Sequence, residues 1–258
     1  MTNKLIKLPL REVLKNSLVF VWQHKKIVLP ILPLVLILMI AQIVIRISPN
    51  CTADIQACSE SWQLAILSIL FSLTNIAIVI NYCRTACGEK TSDYSSWSFI
   101  KKAGIYAALL LIVSLVLILA IAIIVALAIV VAHDTLIVQT IFYIGIIALG
   151  ILTAPLLLIF PAAAMGDYEF MSIQRLFRLA KGNHNAIFWG LVSTSLICFL
   201  PMFILLGIAI WLQGLETMRE QLWLMLSGMI MQIIYSMVKG VYYARIYQFF
   251  KYAEKNSK

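Results

Sequence analysis

Six long apolar runs decide what this chain can fold into. They cover residues 27–47, 62–82, 103–132, 136–164, 186–212 and 222–243. A helix needs roughly 20 mostly apolar residues to cross the hydrocarbon of a bilayer, and each run is long enough. The runs are continuously apolar. Strands of a membrane barrel would be about 10 residues long and would alternate in polarity. The third and fourth runs are separated only by His133, Asp134 and Thr135, a tight polar turn that makes them a helical hairpin. The expected fold class is all-α: a polytopic membrane helix bundle with six transmembrane helices, forming one integral membrane domain over residues 1–258.

Composition agrees. Charged residues are 12% and hydrophobic residues 62% of the 258, whereas a soluble domain is about 25% charged. So few charges cannot coat a soluble particle of this size. A soluble enzyme, a disordered tail, a disulfide-knotted secreted domain and a coiled coil are excluded. Residues 1–26 carry Lys and Arg throughout, with no apolar block before the first run, so no cleavable signal peptide is expected. The net charge of +9 reads as loops facing anionic lipid heads. No basic run is interleaved with aromatics in a form suited to nucleic acid, which is not an expected partner.

The distribution of the basic residues sets an expected topology. Of the 20 lysines and arginines, 17 fall before the first run, in the even-numbered connections, or after the sixth run, Lys239 stands near the same end of the sixth run, and Arg46 and Arg219 lie toward the other face. By the positive-inside rule both termini are cytoplasmic. The opposite face carries Asp54, Glu60, Asp134, Glu216 and Glu220 and is mildly acidic.

Three cytoplasmic segments look alike. Residues 8–24 place Leu10, Val13, Leu14 and Leu18 at helical spacing, with Arg11, Lys15 and Asn16 on the other side. Residues 95–106 and 170–190 follow the same plan. In the last, Ile173, Leu176, Phe177 and Ala180 form one stripe, and Gln174, Arg175, Arg178 and Lys181 another. Short amphipathic helices of this kind lie in the membrane interface, basic face toward phosphates. The plan is then three units of interfacial helix plus two-helix hairpin. Arg11, Lys15, Arg175, Arg178, Lys181, Lys239 and Arg245 are the candidate contacts to anionic membrane lipids, the expected partners. Protein partners are not legible.

Pro30 and Pro33 fall in the cytoplasmic third of the first run, and Pro155 and Pro161 in that of the fourth. Proline removes a backbone donor and kinks or ends a helix. Four on one side read either as ordinary bending or as the mark of a cytoplasm-facing cleft. Pro201 is expected to kink the fifth span near its middle.

Catalytic chemistry is hard to find. Deep in the runs the polar groups are neutral, among them Gln42, Asn75, Ser193, Thr194, Ser195 and Gln232. An ion-coupled transporter usually keeps an ionisable residue at mid-depth. His24, His133 and His184 sit at helix ends or in loops and pair with no nucleophile in a recognised spacing. There is no HExxH and no phosphate-binding glycine loop. No catalytic residue, metal ligand or cofactor is expected. Cys83 and Cys87, one helical turn apart, read as two reduced thiols rather than half a metal site.

The stretch FPAAAMGDYEFMSIQRLFRLAKGNHNAIFWG, residues 160–190, ends a span with proline and small residues. An acidic turn, a Ser-initiated basic helix and a Lys–Gly–Asn step follow. It resembles a stretch of the YciC-like family of bacterial inner-membrane proteins, related to the membrane domain attached to some glycerophosphodiester phosphodiesterases. The closing YYARIYQFFK, residues 242–251, resembles that family's C-terminal pattern. The resemblance implies a six-span helical architecture in a bacterial inner membrane. It implies no activity, and the phosphodiesterase domain has no counterpart here.

The leading functional expectation is a non-enzymatic inner-membrane protein with a structural or envelope-maintenance role. The alternative is a transporter or lipid-handling protein working through the proline-marked cleft. The two differ in how Gln42, Asn75, Ser193–Ser195 and Gln232 are used: lining a hydrophilic cavity, or bonded between packed helices.

One prediction follows from the loop after the first span. Cys51 and Cys58 share the oxidising side of the membrane and form a disulfide closing a short loop, worth at most about 3 kcal/mol. Alkylation and mass spectrometry of air-purified protein should find both thiols blocked. Free thiols at both positions would refute the bond.

Overall fold

The protein is described by a computed structural model for residues 7–47, 62–89, 97–131, 135–211 and 218–255. Among these residues all regular structure is helical. The α-helices are α1 (Leu10–Gln23), α2 (Leu32–Ile47), α3 (Trp62–Ala86), α4 (Trp97–Val131), α5 (Thr135–Thr153), α6 (Ile159–Met165), α7 (Ile173–Leu179), α8 (His184–Trp211) and α9 (Met218–Lys255). Tight 3-10 turns occupy Lys25–Val28, Ala154–Leu158 and Tyr168–Met171. Four stretches are long and apolar enough to cross a membrane: Trp62–Ala86, Trp97–Ala126, Phe142–Met165 and His184–Ile204. The chain is therefore a helical protein built for a membrane. Cys51, Cys58, His133 and Asp134 lie outside the described residues.

Proline placement corrects the first span. The sequence reads as one helix from Ile27, but the apolar helix starts at Leu32 and has 16 residues, about 24 Å at 1.5 Å per residue. Pro30 has no N–H to offer the carbonyl of Lys26. That carbonyl accepts from Leu29 N–H at 3.2 Å instead, and Val28 O accepts from Ile31 N–H at 3.1 Å. The backbone thus tightens to three-residue spacing. Pro33 stands in the first turn of α2, where a missing donor costs nothing. Pro155 has the same effect between α5 and α6, where Ala154–Leu158 form a 3-10 turn. The four prolines mark tightened turns and helix starts. At Pro201 the helix α8 continues without interruption.

Residues 95–106 also differ from expectation. From Trp97 onward they are the first turns of the 35-residue helix α4, not a separate interfacial helix. No proline interrupts that stretch, so the helix propagates through it. Leu111, Ile112, Leu115, Val116, Ile118, Leu119 and Ile123 of α4 all stay exposed. Such continuous apolar exposure is foreign to a soluble surface and is the normal outer face of a span. α4 packs against α5 and α6, and Gly145 of α5 leaves room for the Ile124 side chain.

The chain divides into two compact units, each gathered from separated segments: residues 1–14, 92–191 and 242–258 in one, 15–91 and 192–241 in the other. In the second unit α2 packs on α3, and the Tyr82 hydroxyl donates to His24 O at 3.2 Å. Four polar residues of α3 bond one turn back along the helix. Ser72, Thr74 and Thr85 donate to the carbonyls of Ser68, Leu70 and Asn81 one turn back. The Asn75 amide donates to Phe71 O at 2.9 Å, and its Oδ1 accepts from the Ser236 hydroxyl of α9 at 2.8 Å. Here α9 comes close to α3, because Gly240 has no side chain. A Cβ there would lie 2.5 Å from Val79 O and 3.1 Å from Val79 Cα.

Backbone cannot move aside as a side chain tip can. Gly240→Ala should therefore cost about 1–3 kcal/mol or more, although alanine is the better helix former. Thermal denaturation in detergent checks this. A variant as stable as the parent would show that α3 and α9 are not in this contact.

Candidate functional site

The first unit holds a polar cluster where the turn after α6 meets the last turns of α9. Its geometry begins with Gly166. That residue ends α6 at φ +75°, a left-handed conformation that glycine adopts without strain. Gly166 N–H and Asp167 N–H return to the carbonyls of Ala163 and Ala162 at 3.1 and 2.9 Å. The chain then reverses, and Asp167 Oδ1 caps the following 3-10 turn by accepting from Phe170 N–H at 3.3 Å.

The other oxygen of Asp167 faces α9. Oδ2 accepts from the Tyr247 hydroxyl at 2.5 Å and from Lys251 Nζ at 2.8 Å. Lys251 Nζ also lies 2.8 Å from the Tyr247 oxygen. Tyr247 and Lys251 are one turn apart, so a single helical face presents both. Burial alone would raise the Asp167 pKa. The hydrogen bonds from Lys251 and Tyr247 outweigh it and hold the carboxyl below its ordinary value. Burial and the neighbouring carboxylate push the Tyr247 hydroxyl up to about 12. The bonds to Asp167 and Tyr247 hold the Lys251 ammonium above its usual range.

A second pair lies beside the first. Arg175 grips Glu254 with two parallel bonds, Nε to Oε1 at 3.0 Å and Nη2 to Oε2 at 2.7 Å. Its Nη1 donates to Glu169 O at 3.0 Å. This is the planar two-point match for which arginine is suited. The bond to Glu254 raises the guanidinium pKa further, so Arg175 is charged at every accessible pH. The Phe170 ring joins the two pairs. It lies 5.5 Å under the Arg175 guanidinium and meets the Tyr247 ring edge-on at 4.9 Å.

Beneath this cluster lies a layer of buried aromatic and small side chains. Phe160, Ala162, Ala163, Ala164, Phe170, Leu176, Tyr242, Tyr243 and Phe250 are all buried. Tyr243 stacks on Phe160, whose ring also meets Tyr106. Tyr242 donates to Ile187 O at 3.0 Å, in a space kept open by Gly190. Gly182 turns the chain at φ +80°, and the buried Asn183 accepts from Leu8 N–H at 2.8 Å. The segments 160–190 and 242–254 thus form one closely fitted assembly.

The sequence-derived lipid contacts separate into two groups. Arg11, Lys15, Arg178 and Lys181 are exposed. Arg175, Lys239 and Arg245 are half-buried and engaged within the protein: Arg175 with Glu254, Lys239 over the Tyr235 ring at 5.6 Å, Arg245 with Gln248. On α7 and the residue that ends it, Leu176 and Ala180 are buried while Ile173 and Phe177 are exposed, so the expected apolar stripe is split between protein and surroundings. Asp167, Tyr247, Lys251 and Glu254 escaped the sequence reading. Gly166–Asp167 at a helix end is a local signal for a cap, and Tyr247–Lys251 for a shared face. Their meeting across 80 residues has no local signal. Cys83 is buried and Cys87 half-buried. Among the described residues no three His, Cys, Asp or Glu group as metal ligands would.

No protein-family model matches this chain, and no curated protein or solved structure matches it.

The cluster sets a pH range. A depressed folded-state pKa means that the Asp167 contribution is complete above the ordinary carboxyl value and lost as pH falls below about 4. The raised Lys251 and Tyr247 values mean that theirs is complete below about 10 and lost as pH rises beyond it. Asp167→Ala should remove about 1–3 kcal/mol at neutral pH and flatten the acid side of the profile. Lys251→Gln should cost under about 1 kcal/mol, because Lys251 is 57% exposed. Denaturation from pH 3 to 11 tests both. Equal losses for the two variants would contradict the cluster.

Proposed function

We propose that this chain is a structural protein of a bacterial inner membrane with no enzymatic activity of its own, serving envelope maintenance. We also propose kinship with the YciC-like membrane proteins, on segments 160–190 and 242–251. Six spans are proposed, the first shortened to α2 with the tight turn before it. Both termini lie in the cytoplasm, where the basic residues concentrate, and anionic lipids are the partners.

One observation carries the reading. Of the polar groups that would line a transport path, Asn75 of α3 is bonded within the protein. Asn75 is held at both ends, by Phe71 O and by the Ser236 hydroxyl. Ser236 also lies 2.9 Å from Gln232 O. Thr194 and Ser236 are buried. Neutral polar residues used this way are interhelical fastenings. The ionised groups at the α6–α9 junction are likewise matched acid to base. That arrangement fixes a shape.

Two measurements test the proposal. A periplasmic phosphatase fused after residue 258 should be inactive, and a fluorescent protein fused there should be bright. Cells lacking the chain should take up a normally excluded dye several-fold faster, with rescue by the chain itself. An active phosphatase would overturn the topology, and unchanged uptake the envelope role.

A further inference from the structure

In the second unit, the exposed side of α1 changes character along its length. Lys15 is exposed, and Leu18, Val19 and Trp22 follow at three, four and seven residues on the same helical face. All three are exposed, Trp22 by 76%. The opposite side, represented by Ser17, is buried. Lys25 and Lys26 follow in the 3-10 turn, both exposed. Lys25 Nζ stands 5.1 Å from the centre of the Trp22 ring. Beyond the turn Leu29 is exposed, and the exposed residues Leu34, Ile37, Ile40 and Val44 continue along α2 as an unbroken apolar face.

Along the chain the exposed side runs cation, apolar pair, indole, two cations, hydrocarbon. The indole and the two cations beside it thus stand at the border of an apolar face, as glycerol and phosphate stand at the border of the acyl chains in an anionic leaflet. Tryptophan is favoured at the glycerol level because its ring is apolar and its N–H polar. A lysine over the ring gains attraction from the ring face and is held beside the place a phosphate would take. A protein partner would need to cover three lysines and a continuous apolar helix face together. A lipid with an anionic head and two chains satisfies both at once.

We propose that Lys15, Trp22, Lys25 and Lys26 form a headgroup site selective for anionic phospholipid. The indole sits at the glycerol level, Lys25 and Lys26 face the phosphate beside it, and Lys15, about 10 Å back along α1, adds attraction to the anionic surface. This rests on the membrane reading above and names the partner's binding place. It puts lipid selectivity on Lys25 and Lys26, which the sequence pattern had not singled out, and takes it away from Arg175.

The test uses the full chain in phosphatidylcholine bilayers containing a minor fraction of brominated lipid, either phosphatidylglycerol or phosphatidylcholine. The Trp22 signal is the difference between the parent and Trp22→Phe. It should be quenched far more by brominated phosphatidylglycerol than by the same fraction of brominated phosphatidylcholine. Replacing Lys15, Lys25 and Lys26 with Gln should lower that preference by roughly five-fold per lysine at low salt, and salt should weaken it in the parent. Replacing them with Arg should keep it. Equal quenching by the two lipids, or a Trp22 signal that neither quenches, overturns the site. The remaining tryptophans report separately. If their emission in Trp22→Phe is untouched by either brominated lipid, the membrane reading itself has failed.

Discussion

Hydrocarbon offers no hydrogen-bond partner, so each polar group placed in it must be served by the protein. Much of the arrangement of backbone and hydroxyl groups in this structure follows from that constraint. Helices meet it for the backbone. For side chains, Ser72, Thr74, Thr85 and Thr153 return their hydroxyls to carbonyls one turn earlier, and Asn75 and Ser236 serve each other across two helices. The prolines obey the same rule. Pro30 and Pro155 fall where the backbone tightens to three-residue spacing, and Pro33 and Pro161 fall in the first turn of a helix.

At the junction of the α6 turn with α9 the balance is different. Ion pairs with one partner well exposed contribute little, because water screens them. Lys251 is such a partner. The Arg175–Glu254 fork is better shielded, with side chains 26% and 15% exposed. Most of the stabilisation comes from beneath, where Phe160, Phe170, Tyr242, Tyr243 and Phe250 lose their contact with water, each worth about 1.5–3 kcal/mol by area. The charged groups therefore select the register of α9 against the turn more than they hold it there. Asp167 does both, as it caps a turn and receives Tyr247.

Much of this was legible in the sequence, and the reason is physical. Helix position follows largely from apolar run length, a local property: the second to sixth runs fall mostly within α3, α4, α5–α6, α8 and α9, and four stretches among the described residues are long and apolar enough to cross a membrane. The start of α2 was misread because hydropathy does not register that Pro30 leaves Lys26 O without its usual donor. Segment 95–106 was misread because an amphipathic start does not itself end a helix. The acid partners of Arg175 and Lys251 were not legible. Glu254 lies 79 residues from Arg175 and Asp167 lies 84 from Lys251, and only the folded chain brings them together. A basic residue near a membrane looks the same in sequence whether it faces a phosphate or a glutamate.

The central claim is that polar groups within the apolar helices fasten the protein together instead of lining a path. A double-mutant cycle on Asn75→Ala and Ser236→Ala, with unfolding free energies measured in bilayers, tests it most directly. The account predicts a favourable coupling of about 0.6–1.7 kcal/mol, as for hydrogen bonds between membrane helices, so that the double variant loses less than the two single losses together. Strictly additive losses would contradict it, for then Asn75 and Ser236 would be acting independently of each other.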